Sequence, residues 1–185
     1  MAPLDAALTY HKIDLYDLKS FPMSLHDLCF WLQNTAWGTA IRESTLLFPI
    51  IETIHVLGLS LSVGTIAVLD LRLLGLGLRR EPVSQVMRQI MPWSLTGFAI
   101  MFASGALLFW AQALKAYDSV FFRIKLLLLL CTAVNALVFQ FTVYRSMASW
   151  DKATATPLAA RISGLVSLCL WIGVIAAGRT MAYKF

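Results

Sequence analysis

Residues 46–69 read LLFPIIETIHVLGLSLSVGTIAVL and contain only two ionisable side chains, Glu52 and His55. A helix needs about 20 predominantly apolar residues to cross the ~30 Å hydrocarbon layer of a bilayer. This stretch meets that length with few polar interruptions. It therefore predicts a transmembrane helix. The rest of the chain can be searched for stretches of similar length and apolar character.

Three further stretches, residues 90–114, 126–144 and 162–178, contain no Asp, Glu, Lys, Arg or His. The connections between the four stretches are short, and short connections join antiparallel neighbours in helical bundles. We therefore expect an all-α integral membrane protein with a four-helix antiparallel transmembrane bundle. The expected transmembrane domain covers residues 44–185, with helices at about 45–76, 90–116, 120–147 and 158–182.

The composition supports the same class. Of the 185 residues, 59% are hydrophobic and 14% are charged, whereas soluble domains average about 45–50% and 25%. This excludes an ordinary water-soluble enzyme. The net charge of +5 comes from basic residues that flank the apolar stretches, which favours contact with anionic membrane lipids over nucleic acid. The three cysteines have no CxxC spacing and are expected to be small buried residues without a metal.

The chain before the first span divides into two parts. Residues 1–23 form a tail with three aspartates and no apolar core, which is not the pattern of a cleavable signal peptide. Residues 24–43 are predicted to form an amphipathic helix that begins at Ser24 and lies in the membrane interface. Trp31 and Trp37 are the expected anchors at the level of the headgroups.

Charged side chains bracket the predicted membrane core. Glu52 and Asp70 are 18 residues apart, or about 27 Å along a helix, close to the ~30 Å of hydrocarbon. Antiparallel spans would place Lys125 and Arg179 with Glu52 at one membrane face. Two interpretations remain open: the basic side chains extend to lipid headgroups while Glu52 pairs with one of them, or they form a polar pocket for an anionic or metal-containing ligand.

His55 is the one imidazole inside the predicted membrane boundary. It could be a hydrogen-bonded structural residue, or it could ligate haem or a metal with Glu52 orienting it from one turn away. Met101, midway along the second span, is a candidate axial thioether or a flexible core residue. Asn135 is expected to form hydrogen bonds between helices, and Asp70 is expected to pair with Arg72.

Three stretches carry a family resemblance: residues 41–75, FFRIKLLLLLCTAVNALVF and LWIGVIAAGRTMAY. They resemble an uncharacterised family of small bacterial inner-membrane proteins that carries a domain-of-unknown-function label. The chain is more loosely similar to copper-resistance D membrane domains and to haem-linked protoporphyrinogen oxidases. Those families share a His-hydrophobic-hydrophobic-Gly context, here His55 to Gly58, and a Lys that opens a later helix, here Lys125. The position of their downstream His holds Asn135 in this chain.

These observations lead to three functional hypotheses. The first is a b-type haem or related porphyrin protein with an electron-transfer role, in which His55 ligates the iron and Lys125 and Arg179 pair with the propionates. The second is handling of copper or another cation through His55. The third is an accessory subunit that forms oligomers.

The chain contains no motif of the common nucleotide-binding, hydrolase or zinc-enzyme families, which favours a role without catalysis. Expected partners are membrane lipids, a periplasmic redox or metal-carrier protein, and a second copy of the chain. The expected location is the bacterial inner membrane. Lys and Arg are in excess by one on the face that carries Asp70, so the positive-inside rule places both termini in the periplasm.

Overall fold

The computed structural model of the protein describes residues 24–151 and 156–183, and the predicted tail, residues 1–23, lies outside this part. The described chain is helical and contains no strand. Four helical segments are long and apolar enough to cross a membrane. This confirms the predicted all-α fold with four spans and identifies a multi-pass membrane protein. The four segments are Leu47–Leu74 (α3), Val83–Ala111 (α4), Val120–Ser146 and Leu158–Tyr183 (α8).

The segment before the first span differs from the prediction. The single helix expected over residues 24–43 is two helices, α1 (Leu25–Gln33) and α2 (Ala36–Glu43). Ser24 caps α1 as predicted, but Thr35 caps a second helix by accepting a hydrogen bond from the Gly38 N–H. This local cap interrupts the apolar periodicity between the two helices. Their position at a membrane surface stays a prediction.

The second span begins earlier and ends earlier than expected. Hydropathy predicted residues 90–116, whereas α4 begins at Val83 and ends at Ala111. Its first turn contains Ser84, and the Asp151 carboxylate stabilises this turn by accepting hydrogen bonds from Ser84 N (2.7 Å) and Ser84 Oγ (2.6 Å). A non-helical backbone at Gln112 then separates α4 from a short helix, α5 (Ala113–Asp118).

The third span contains an irregular turn. Helix α6 covers Val120–Val138 and continues through a π-helical turn at Phe139–Val143 and a 3₁₀ turn at Tyr144–Ser146 into α7, Met147–Trp150. π-Helical turns inside membrane helices are rare and often lie near functional sites. Here the turn begins at Phe139, whose side chain is buried in the apolar cluster described next.

An apolar cluster closes one end of the bundle. It joins the end of α3, the start of α4, the irregular turn of the third span with α7, and the start of α8, through Leu73, Val83, Phe139, Val143, Met147, Trp150 and Ala160. Beside it, the buried Arg72 donates from Nε to the carbonyl of Glu81 at 2.9 Å. The predicted ion pair between Asp70 and Arg72 is wrong, since the described residues contain only the His26–Asp27 and Arg42–Glu43 pairs.

The four spans are arranged in the spatial order α4, α3, α8, α6, because α3 packs along both α4 and α8, and α6 packs along α8. Helices α3 and α4 meet backbone to backbone. A β-carbon on Gly97 would lie 2.6 Å from the backbone nitrogen of Ser62, and one on Gly58 would lie 3.0 Å from that of Met101. Small residues permit this approach, which stabilises helix pairs in lipid.

We predict that Gly97→Ala lowers the free energy of unfolding by about 1–3 kcal/mol, since the added methyl group forces the α3 and α4 backbones apart. Gly64→Ala is the matched control, because nothing lies within 4 Å of its added β-carbon. It is expected to be neutral or slightly stabilising. Unfolding by denaturing detergent in mixed micelles measures both. Equal loss of stability in the two variants would contradict a tight contact at Gly97.

We also predict an acid-sensitive contribution from Asp151. Burial acts to raise its pKa, but the hydrogen bonds from Ser84 and the charges of Arg88 and Arg72 outweigh burial and lower the pKa below its ordinary value. The stabilisation is therefore complete above the ordinary carboxyl pKa of ~3.9 and is lost as the pH falls through the lowered pKa of the folded state. Asp151→Asn should flatten this part of the stability curve. An unchanged curve would show that the contact contributes nothing.

Candidate functional site

A cavity of about 410 Å³ lies between the four spans, and each span contributes side chains to its wall. The apolar cluster lies at one end of it, since Leu73 and Phe139 belong to both. Beyond the cavity in the other direction, Phe109 of α4 and Phe122 of α6 stack with ring centroids 5.7 Å apart. Helices α4 and α6 are thus bridged near both ends of the bundle.

Between the apolar cluster and the Phe109–Phe122 stack, the cavity opens laterally, between α4 and α6. Helices α4 and α6 are the outer members of the row, and several of their cavity-lining side chains are also exposed at the protein surface. Leu95 is 60% exposed and Phe102 is 63% exposed, and Ala133 and Ala136 of α6 are exposed as well. We call these four residues the lateral window. In a bilayer, this part of the protein surface faces lipid tails rather than water.

Two polar groups in the cavity wall are buried without hydrogen-bond partners. Asp70 is 4% exposed and Trp171 is 3% exposed, and both residues line the cavity. Among the described residues, Asp70 Oδ2 and Trp171 Nε1 have no partner. An unpaired buried polar group costs about 1–3 kcal/mol, so these two groups set this part of the bundle apart from the rest of the described chain, in which every buried polar side-chain atom has a partner.

The neighbours of these two groups hold them in place. Ser167 of α8 lies near the Asp70 carboxyl group, and the backbone of Gly164 lies against Asp70, where a β-carbon would be 3.1 Å from the Asp70 carbonyl oxygen. The Trp171 ring packs against Phe98 with centroids 5.7 Å apart. The carboxyl and indole groups are therefore fixed by packing between α3, α4 and α8.

Asn135 also lines the cavity, but its amide is already paired. Its Nδ2 donates to the Ser163 carbonyl at 3.1 Å, and its Oδ1 accepts from Ser163 Oγ at 3.2 Å. This confirms the predicted hydrogen bonds between helices. Asn135 is ten residues from Lys125, or about 15 Å along the helix. The structure therefore does not bring Asn135 together with the residues around His55.

His55 lies between α3 and α4, on the other side of their glycine contact from Asp70. Its Nδ1 is 3.0 Å from the Met101 carbonyl oxygen and 3.1 Å from Ser104 Oγ. A carbonyl only accepts, and the Ser104 hydroxyl donates to Ile100 O at 2.6 Å, so Nδ1 carries the proton and Nε2 has a free lone pair in the neutral ring. Gly105 leaves room for the ring, with its β-carbon position 3.0 Å from His55 Cε1.

The predicted partners of His55 are only partly brought together. Lys125 is close enough to act electrostatically on His55, and its side chain lies across Gly178 of α8. Met101 is buried and contributes its backbone carbonyl. Glu52 is exposed and makes no ion pair with any described residue, so the predicted pairing of Glu52 with a basic residue is wrong, and Met101 and Ser104 orient His55 instead.

The contacts of Arg179 are with its own helix. It is exposed, and it donates a hydrogen bond to the Tyr183 hydroxyl and lies over the Tyr183 ring, 4.5 Å from its centroid. Within the described part of the chain, no three His, Cys, Asp or Glu side chains are grouped so that they could hold a metal ion. A multi-carboxylate or multi-thiolate metal site is thus absent from that part.

Sequence reasoning missed the cavity. Asp70 was expected to pair with Arg72, and Trp171 was not among the candidate residues. A signal existed in α8, where Ser163, Ser167 and Trp171 follow one another at four-residue steps and therefore share one helix face. A polar stripe in a membrane span points toward other helices or a cavity rather than toward lipid.

Comparison with known proteins defines the family but not the activity. No curated protein and no solved structure matches the chain. The similarity to copper-resistance D domains and to protoporphyrinogen oxidases therefore stays a prediction. A family model described as a family of unknown function, DUF6644, matches residues 44–184. Since this match covers the four spans and most of the chain, the protein belongs to the family of unknown function DUF6644.

Proposed function

We propose that the protein binds a small, largely apolar molecule that enters the four-helix cavity from the bilayer. The observation that carries this proposal is a largely apolar cavity of about 410 Å³ between the four spans, which opens between α4 and α6. Ligand sites are typically concave, mostly apolar and about 300–1,000 Å³ in volume, with a few polar groups that orient the ligand. The volume and the largely apolar wall of this cavity agree with that description.

The lateral window supports entry from lipid. Phe102 and Leu95 line the cavity and are also exposed on the side of the bundle, whereas the apolar cluster containing Leu73 and Phe139 closes the end of the bundle. A ligand dissolved among lipid tails would reach the cavity without passing through water. A polar ligand would lose its hydration on this route without enough partners to replace it.

We predict saturable binding of tritiated 4-octylphenol to the protein in lipid nanodiscs, with empty nanodiscs as the partition control. Ala133→Phe places an aromatic ring in the lateral window and should lower the affinity at least about tenfold by excluded volume. Ala99→Phe is the matched control, because Ala99 is exposed on α4 and is not part of the cavity wall. Binding that is equal in both variants, or that never saturates, would contradict the proposal.

Haem binding at His55 is the second candidate, and the hydrogen bond from Nδ1–H to Met101 O favours it. Ligating imidazoles usually donate their other ring N–H to a carbonyl or carboxylate, which leaves the opposite nitrogen free for the metal. The donor set fits a single axial ligand, with Lys125 as a nearby cation for a propionate. A second copy of the chain would supply the other imidazole, and electrons would pass to a periplasmic partner.

An absorption spectrum of protein produced with added haem tests this candidate. We expect a Soret band that His55→Ala abolishes, and that His26→Ala leaves unchanged because His26 lies in α1, before the spans. Colourless protein would rule out haem. Stoichiometric copper that His55→Ala removes would instead support cation handling. A colourless, metal-free oligomer would support the accessory role.

We propose the bacterial inner membrane as the location, with both ends of the chain in the periplasm. Four spans return the chain to the side on which it started. Near the ends of the spans, the Asp70 side carries seven Lys and Arg residues and the opposite side carries six, and the side with the excess of basic residues is retained in the cytoplasm. The His55 side of the bundle would then face the periplasm.

A further inference from the structure

We infer that the ligand of the four-helix cavity is a single-chain anionic amphiphile, with its head group beside Gln140 at the edge of the lateral window and its chain in the cavity. This inference rests on the proposed binding function and names the chemical class of the ligand. Gln140 lies in the π-helical turn of the third span, lines the cavity and is exposed. It is therefore accessible to a ligand in the cavity.

The Gln140 amide is available for hydrogen bonds. Gln140 makes none with any described residue. By contrast, the Asn135 amide is paired with Ser163, and the Thr132 hydroxyl donates to the Leu128 carbonyl at 2.8 Å. Lipid tails offer no partner to an amide. The two N–H groups of the Gln140 amide can instead donate to oxygen atoms of a ligand head group.

The opposite edge of the window carries a cation at the same end of the bundle. Met87 and Phe139 both pack in the apolar cluster. Arg88 follows the first of these residues and Gln140 follows the second. Arg88 also precedes Leu95 of the lateral window by seven residues, which is about two helical turns, so both lie on one edge of α4. This end of the window therefore has an amide on one side and an exposed guanidinium on the other.

The charges near this end of the window favour an anion. A guanidinium pairs with the two oxygens of a carboxylate or phosphate through parallel hydrogen bonds. Asp151 acts electrostatically on Arg88, but the described residues contain no ion pair between them, and the Asp151 oxygens accept from Ser84. Asp70, the acidic residue in the cavity wall, lies on α3, whereas the window lies between α4 and α6.

The cavity volume fits one alkyl chain. A methylene group is about as large as a water molecule, whose share of liquid volume is ~30 Å³, so a cavity of about 410 Å³ holds a chain of about 14 carbons. The wall offers this chain aromatic and thioether side chains from Phe98, Phe102 and Met91. The predicted ligand thus has an anionic oxygen head group on one long alkyl chain, as a fatty acid or an alkyl phosphate does.

Displacement of tritiated 4-octylphenol tests this inference in nanodiscs of zwitterionic lipid. Four probes share one chain length: tetradecanoate, tetradecyl phosphate, tetradecanol and tetradecyltrimethylammonium. At least one anion should displace the label at a mole fraction in lipid about tenfold or more below that of the alcohol, and the cation should be the weakest probe. The more potent anion identifies the head group as carboxylate or phosphate. If the alcohol or the cation displaces best, the inference is wrong.

Two pairs of variants locate the head group. Gln140→Leu removes the amide at similar volume and should weaken the more potent anion about tenfold. Gln89→Leu is its control, because Gln89 is exposed on α4 and is not part of the cavity wall. Arg88→Gln should reduce the preference for the anion over the alcohol to about twofold or less. Its control, Arg80→Gln, removes the same charge from the connection between α3 and α4 and should preserve the preference.

The outcomes separate this inference from the proposed function. If 4-octylphenol binds saturably but the anions have no advantage over the alcohol, the cavity binds apolar molecules and the head-group inference is wrong. The inference is also wrong if Arg80→Gln lowers the preference as much as Arg88→Gln, since the general positive charge of this membrane face would then explain it. If 4-octylphenol itself never saturates, the proposed function fails.

Discussion

The backbone contact between α3 and α4 is the constraint on which the rest of the bundle depends. Gly58 and Gly97 lie so close to the opposite helix that a side chain at either position would collide with backbone atoms. Helix α3 meets α8 in a similar way at Gly164. Because α4 and α8 pack against α3, α6 packs along α8 instead. Helix α6 therefore lies opposite α4, and a gap separates the two helices. The cavity is therefore a consequence of where the glycines permit close packing.

The polar side chains of the spans are constrained by the membrane as well. Lipid tails offer no hydrogen bonds, so polar side chains inside the membrane must find partners within the protein. Asn135 does so with Ser163, and His55 does so with Met101 and Ser104. In contrast, Asp70 Oδ2 has no hydrogen-bond partner among the described residues, and Asp70 lies in the wall of the four-helix cavity.

Sequence alone predicted the four spans, because their apolar length is a local property. It did not predict the start of α4, since the first turn is stabilised through Ser84 by Asp151, which is distant in sequence. The break at Thr35 depends on a local cap that apolar periodicity does not reveal. For the site, His55 and Lys125 were correctly placed at one end of the bundle. Trp171 was missed, because its role depends on the lateral order of the helices, which hydropathy leaves open.

The central claim is that the cavity is continuous with lipid and holds a molecule other than water. The most direct test is the accessibility of a nitroxide attached at Ala136, in the lateral window, to two paramagnetic relaxants in nanodiscs. Oxygen concentrates in the bilayer, and a neutral nickel chelate stays in water. If the cavity is continuous with lipid, collisions with oxygen should be frequent and those with the nickel chelate few, and 4-octylphenol should reduce the oxygen collisions. Frequent collisions with the nickel chelate would show a water-filled crevice, in which Asp70 and Trp171 need no ligand, and would contradict it.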